Sequence, residues 1–182
     1  MHRICLVIAL ACLSLGLAGC SGDRIEDTEG GVVLSVSDFD GLATRVSVNN
    51  AGNTYTLGQI QISNLPKSNR TTSDLMNVEM DTYEVVYERI GGGTRTPTTL
   101  VRRIFGVAPI SGTIEYDNLP LMGVEQFDNQ PLEDLLFENG AFDQETGEQV
   151  ITLNLNVRFF GRTLAGEDVA TEPIAFTVEF VP

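Results

Sequence analysis

From Ile151 to Phe159 the chain alternates without a break. Ile151, Leu153, Leu155, Val157 and Phe159 share one parity, and Thr152, Asn154, Asn156 and Arg158 share the other. Successive side chains of a strand point to opposite faces, so this pattern predicts a strand with one buried and one wet face. The final segment repeats it, with Ile174, Phe176, Val178 and Phe180 set against Ala175, Thr177 and Glu179. Between the two lies Gly161 to Pro173, long enough for an ordered crossing or a wide hairpin.

Further strand candidates are Val32–Ser37, Ala43–Val48, Thr54–Ser63, Val78–Ile90, Thr98–Phe105 and Ser111–Asp117, a spacing that suits an all-β sandwich. The stretch from Val78 changes phase: Val78 and Met80 lie on one parity, Tyr83, Val85 and Tyr87 on the other. A bulge or break near Asp81 reconciles them. Gly91, Gly92 and Gly93 mark a turn, and the strands on either side are expected to pair as a hairpin. One segment reads as a short helix. Pro131 suits a first helical position, Asp128 or Asn129 can cap, Leu132, Leu135 and Leu136 share a face, and Gly140 can stop it. A helix capping one end of the core is preferred to a docking helix for a partner.

The amino terminus follows different rules. Arg3 gives a positive start, and Ile4 to Leu17 is almost wholly apolar, short for a bilayer span, which needs about 20 apolar residues. Leu17-Ala18-Gly19-Cys20 follows directly and resembles the lipobox of bacterial lipoprotein precursors. The resemblance implies removal of residues 1–19 as a signal peptide and fatty acylation (palmitate) of Cys20, the lipid attachment site and first mature residue. Two other readings compete: an ordinary signal peptide with an incidental Cys20, and an uncleaved membrane anchor. Ser21, rather than aspartate, follows the cysteine, which in some lipoproteins favours the outer over the inner membrane. Ser21 to Gly30 is polar and acidic and reads as a tether reaching at most about 33–36 Å. Farther on, Arg158-Phe159-Phe160-Gly161-Arg162-Thr163-Leu164-Ala165-Gly166-Glu167 with the strand after it resembles the carboxy-terminal region of bacterial lipoproteins with a β-sandwich. No catalytic or binding residue carries over from that likeness.

Processing of this kind narrows the available chemistry. Cys5 and Cys12 leave with the signal peptide and Cys20 is acylated, so the mature chain has no thiol and no disulfide. His2, the only histidine, leaves too, which removes Ser-His-Asp and Cys-His systems and a His or Cys zinc site. Lys67 is the only lysine, and with Asn64 three residues before it there is no Ser-x-x-Lys dyad. The formal charge is −14, and loss of Arg3 takes it to −15. That repels nucleic acid and anionic lipid and suits cationic partners or divalent cations, but solvation of exposed sheet faces is the preferred reading for most of the acidic side chains.

Four sets of residues are candidates for a site. Ser37-Asp38-Phe39-Asp40-Gly41 and Asp143-Gln144-Glu145-Thr146-Gly147-Glu148 combine carboxylates with glycine, as calcium loops do, without EF-hand spacing. The same residue types build ordinary turns, which is the preferred reading. Glu79, Asp81, Glu84 and Glu88 could supply a carboxylate pair for glycan hydrolysis, against the plainer reading of a solvated strand face. Arg102 and Arg103, with Arg89 and Arg95, could hold an anion, but adjacent strand residues diverge and pairing with the acidic surplus is preferred. Tyr83 and Tyr87 share a parity and suit half-buried strand positions.

The sequence thus predicts an all-β, immunoglobulin-like antiparallel sandwich with a short helix, one domain over 31–182, behind a signal peptide (1–19) and a lipidated tether (20–30). It predicts a non-catalytic binding or structural module of the bacterial envelope, with no cofactor and no metal. Its partners are the membrane, through the lipid on Cys20, and an envelope protein or glycan, not nucleic acid. The alternatives are a carboxylate hydrolase of envelope glycans and a calcium-stabilised adhesion module.

Overall fold

The computed structural model describes residues 31–52, 54–68 and 72–182. Cys20, its signal peptide and the acidic tether lie outside them. Nine strands follow in order: β1 (Val32–Asp40), β2 (Arg45–Ser47), β3 (Tyr55–Pro66), β4 (Val78–Ile90), β5 (Leu100–Ala108), β6 (Gly112–Met122), β7 (Ile151–Thr163), β8 (Asp168–Ala170) and β9 (Ile174–Val181). They form an all-β sandwich. A three-stranded sheet has the order β1-β3-β6, and a six-stranded sheet has the order β2-β9-β7-β4-β5 with β8 beside β7. All ladders are antiparallel except the short β2–β9 pairing.

The alternation in β7 does what its sequence requires. Ile151, Leu153, Leu155, Val157 and Phe159 are wholly buried, and the intervening side chains reach the outer face. Aromatic rings join the sheets: Tyr116 of β6 stacks on Phe159 of β7 at 6.4 Å, and Tyr55 of β3 meets Phe180 of β9 edge-on at 6.1 Å. Val78, Met80, Tyr83, Val85 and Tyr87 of β4 all point into this core, which requires the phase change at Asp81. The ladder shifts between Met80 and Thr82 against both β5 and β7, so the expected bulge is present and acts on both neighbours. The expected β4–β5 hairpin also forms, Val85 opposing Leu100.

Two expectations need correction. The segment after Asp128 is not one helix. It holds 3₁₀ turns at Leu132–Leu135 and Phe137–Asn139, and the one-turn helix α1 (Val124–Phe127) ends before Asp128. Leu136 takes an extended conformation (φ −64°, ψ 142°) that breaks the run, and Asn129 uses its side chain on the Glu125 carbonyl rather than as a cap. Leu132 and Leu135 are nonetheless buried, so the segment still caps one end of the core. The first acidic stretch is not a loop either: after an irregularity between Val36 and Asp38, β1 continues and pairs Asp38, Phe39 and Asp40 with β3.

The β4 ladder defines two ends. Val78 and Thr163 oppose each other at one end, with Gly31 close by; Ile90 and Thr152 mark the other, which the helical turns cover. Twelve residue steps at about 3.3 Å separate the ends by roughly 40 Å.

Candidate binding groove

The outer face of the six-stranded sheet carries a groove at the β4 bulge. Glu79 and Asp81 are exposed there because residues two apart on a strand share a face, and the bulge turns the next residue, Thr82, to the same side. Across the ladder, Arg162 faces Glu79 and Phe160 faces Thr82. Beyond a tight turn, β8 places Asp168 opposite Arg162. On the other side, β5 contributes Phe105, 79% exposed. Glu79, Asp81, Phe105, Phe160, Arg162 and Asp168 line a cavity of about 590 Å³.

The groove has a defined electrostatic character. Arg162 Nε donates to Asp168 Oδ1 at 2.8 Å, and both side chains remain largely exposed. The Asp168 hydrogen bond and charge, with the Asp81 charge behind them, hold the Arg162 guanidinium above its ordinary pKa. The Arg158 guanidinium lies over the Phe160 ring, 5.3 Å from its centroid. Carboxylates flanked by two phenyl rings suit a ligand that brings both positive charge and apolar surface. The wider carboxylate set divides: Glu79 and Asp81 enter the groove, whereas Glu84 and Glu88 lie farther along β4, opposite Arg158 and Asn154.

The second acidic stretch serves a different purpose. Asp143 is wholly buried and pairs with Arg89, whose side chain is 5% exposed. It also accepts from the Thr146 hydroxyl, from the Thr146 N–H at 3.1 Å and from the Glu145 N–H at 3.2 Å. Burial pushes its carboxyl pKa up, but these hydrogen bonds and the Arg89 charge outweigh it and hold the group below its usual value. Glu145 takes the Thr94 N–H and hydroxyl and the Arg95 N–H, which lowers its pKa as well. Arg95 reaches Gln130 at 2.9 Å and lies 4.0 Å from Asp134. These carboxylates therefore tie the Gly91–Gly93 loop and the helical turns to the far end of the sandwich. In the first stretch, Asp38 and Asp40 each accept the N–H of the following residue. Among the described residues, no three His, Cys, Asp or Glu side chains are grouped to hold a metal.

The paired arginines of β5 stay on opposite faces: Arg103 sits beside Thr82, and Arg102 beside Tyr83. Tyr83 and Tyr87 are buried rather than half-buried, and donate to the Pro120 and Leu121 carbonyls of β6, each at 2.7 Å.

Sequence reasoning passed over Phe105, Phe160 and Asp168. A signal existed for the first two, since each phenylalanine falls on the wet parity of its strand. β5 adds one further feature. It is the terminal strand of its sheet, with β4 its only strand neighbour among the described residues, and Val101, Phe105 and Val107 are 60%, 79% and 49% exposed along it. No family model matches this chain, and no curated protein or solved structure matches it.

Proposed function

We propose that this protein is a lipid-anchored, non-catalytic binding module of the bacterial cell envelope. It takes up an extended segment of an envelope protein along the β5 edge, and the adjoining groove receives a cationic or apolar side chain of that segment. The observation that carries the reading is the nine-residue β5 itself, unpaired along one edge among the described residues and bearing three exposed apolar side chains beside the carboxylate groove. An open strand edge is a template for a further strand, with backbone hydrogen bonds giving affinity and alternate side chains giving specificity. The net charge of −14 favours a cationic partner. The amino-terminal lipobox supplies the anchor in this reading, with Cys20 acylated and the outer membrane preferred.

The test places a photo-crosslinking residue at Val107 of the full chain in cells, with Cys20→Ala as the mislocalised control. One envelope protein should be captured by the anchored form, and Val101→Asp or Phe105→Asp should abolish its capture. Both side chains are exposed, so neither change should alter stability by more than about 0.5 kcal/mol. Hydrolysis of an envelope glycan by the purified mature domain, lost in Glu79→Gln, would overturn the proposal in favour of a carboxylate hydrolase.

A further inference from the structure

Four exposed aliphatic side chains surround the point where the described chain begins. Gly31 donates its N–H to Glu167 Oε2 at 3.3 Å and accepts the Lys67 N–H at 3.0 Å. Two residues on, Val33 pairs directly with Leu65 across the β1–β3 ladder, and they are 43% and 49% exposed. On the other side of Gly31, the turn holding Leu75 is bonded to the β7–β8 turn: the Ala165 N–H reaches the Leu75 carbonyl at 3.0 Å, and the Leu164 N–H the Asn77 carbonyl at 2.9 Å. Leu75 and Leu164 are 57% and 49% exposed. Isolated surface leucines are ordinary, but an apolar rim around one end of a molecule marks an interaction surface.

We infer that this rim rests on the lipid bilayer, so that the protein stands on its membrane by the Gly31 end instead of swinging freely on its tether. The inference depends on acylation of Cys20 proposed above. Ten residues separate Cys20 from Gly31 and span at most about 33–36 Å. An anchor on Cys20 therefore keeps Gly31 within about 33–36 Å of the lipid in every orientation, a limit that does not bind the far end, roughly 40 Å from Gly31. Chemistry at the rim names the lipid. Asp74, Glu167 and Asp168 neighbour it, against Lys67 and Arg162, so contact proceeds by insertion of aliphatic side chains among zwitterionic headgroups and not by attraction to anionic ones. Among the described residues no helix is long and apolar enough to cross a membrane, and the rim makes a shallow contact. Standing this way, the molecule holds its groove near the headgroups, because Glu79, Arg162 and Asp168 lie toward the same end.

The test expresses the full chain in bacteria and mixes the purified product with phosphatidylcholine vesicles, with the mass of the amino-terminal peptide reporting whether Cys20 is acylated. An environment-sensitive fluorophore is attached through Leu75→Cys, Leu164→Cys or, at the far end, Glu148→Cys. Nitroxide-bearing lipid should quench the first two labels and not the third, and the quenching should persist in high salt. In the Leu164→Cys protein, Leu75→Asp should remove it without releasing the protein from the vesicles. If Cys20 is acylated and all three labels respond only to an aqueous quencher, the rim does not touch lipid and the anchor reading survives. If Cys20 is unmodified and the protein stays in solution, the anchor reading fails and takes this inference with it. Quenching that appears only when phosphatidylglycerol is added, and disappears in salt, would overturn insertion as the mode of contact.

Discussion

Among single residues, Asp143 is the most tightly committed. Its carboxylate is sealed from solvent and meets Arg89, Thr146 and the Glu145 N–H, so each oxygen has a partner. Removing one member of a buried pair strands the other charge, which costs about 3–5 kcal/mol. Asp143→Ala should therefore lower the urea midpoint by that equivalent, and Arg89→Met in the same chain should recover part of the loss. A variant as stable as the parent would show that water reaches Arg89 and that the pair contributes nothing. The pH dependence has a definite sign. A carboxyl whose pKa is lowered by folding contributes its stability above its unfolded value of 3.8, and that contribution is lost as pH falls through the folded value. Asp143→Ala should accordingly flatten the acid limb of the stability curve.

Among elements, β4 with its bulge organises the most. Met80 faces Gly106 on β5 and Gly161 on β7, so the buried methionine lies between two glycines on neighbouring strands. A Cβ on Gly161 would stand 2.6 Å from the Glu79 carbonyl oxygen and 2.8 Å from Val78 Cγ1, and one on Gly106 would run into Ile114. Gly106 also has φ 147°, which other residues rarely adopt. Gly161→Ala should cost about 1–3 kcal/mol, because the bulge backbone must move to admit the methyl group. Amide chemical shifts should change around Glu79 and Asp81; an unperturbed bulge in a stable Gly161→Ala protein would mean that the strands have slack there. The strand itself was readable: Val78–Ile90 and the phase change at Asp81 follow from apolar parity alone. The helical segment was not, because Leu132, Leu135 and Leu136 fit a 3.6-residue period and a pair of 3₁₀ turns almost equally well, and burial decides between them. The groove was half legible. Glu79 and Asp81 stand out on β4, but Asp168 and Phe105 join them only through strand pairings that no local pattern encodes, and Asp143 finds Arg89 fifty-four residues away in the same manner.

At the scale of the whole molecule, the two ends differ in what they hold and the interior is sealed by phenols. The Gly31 end bears the groove and the aliphatic rim; the far end bears the charge network of Arg89 and Asp143. Between them, all four tyrosines of the chain turn into the sandwich. Tyr55 donates to the Ala43 carbonyl at 2.6 Å, while Tyr83 and Tyr87 bind carbonyls of the opposite sheet. The Tyr116 hydroxyl is buried without a hydrogen-bond partner. Burial pushes Tyr55, Tyr83 and Tyr116 up to about 12 from 10.0, and Tyr87 higher still. A group whose pKa folding raises supplies stability in full below its unfolded value and loses it as pH rises through its folded value. The fold should therefore be indifferent to alkali up to about pH 10 and lose stability steeply between about 10 and about 12, as four phenols together demand ionisation. Phenolate absorbance, which no tryptophan obscures here, should then rise in step with loss of the β-sheet circular dichroism signal. If two or more tyrosines instead titrate at the ordinary value while the sheet signal is intact, water penetrates between the sheets, and the phenols do not seal the sandwich.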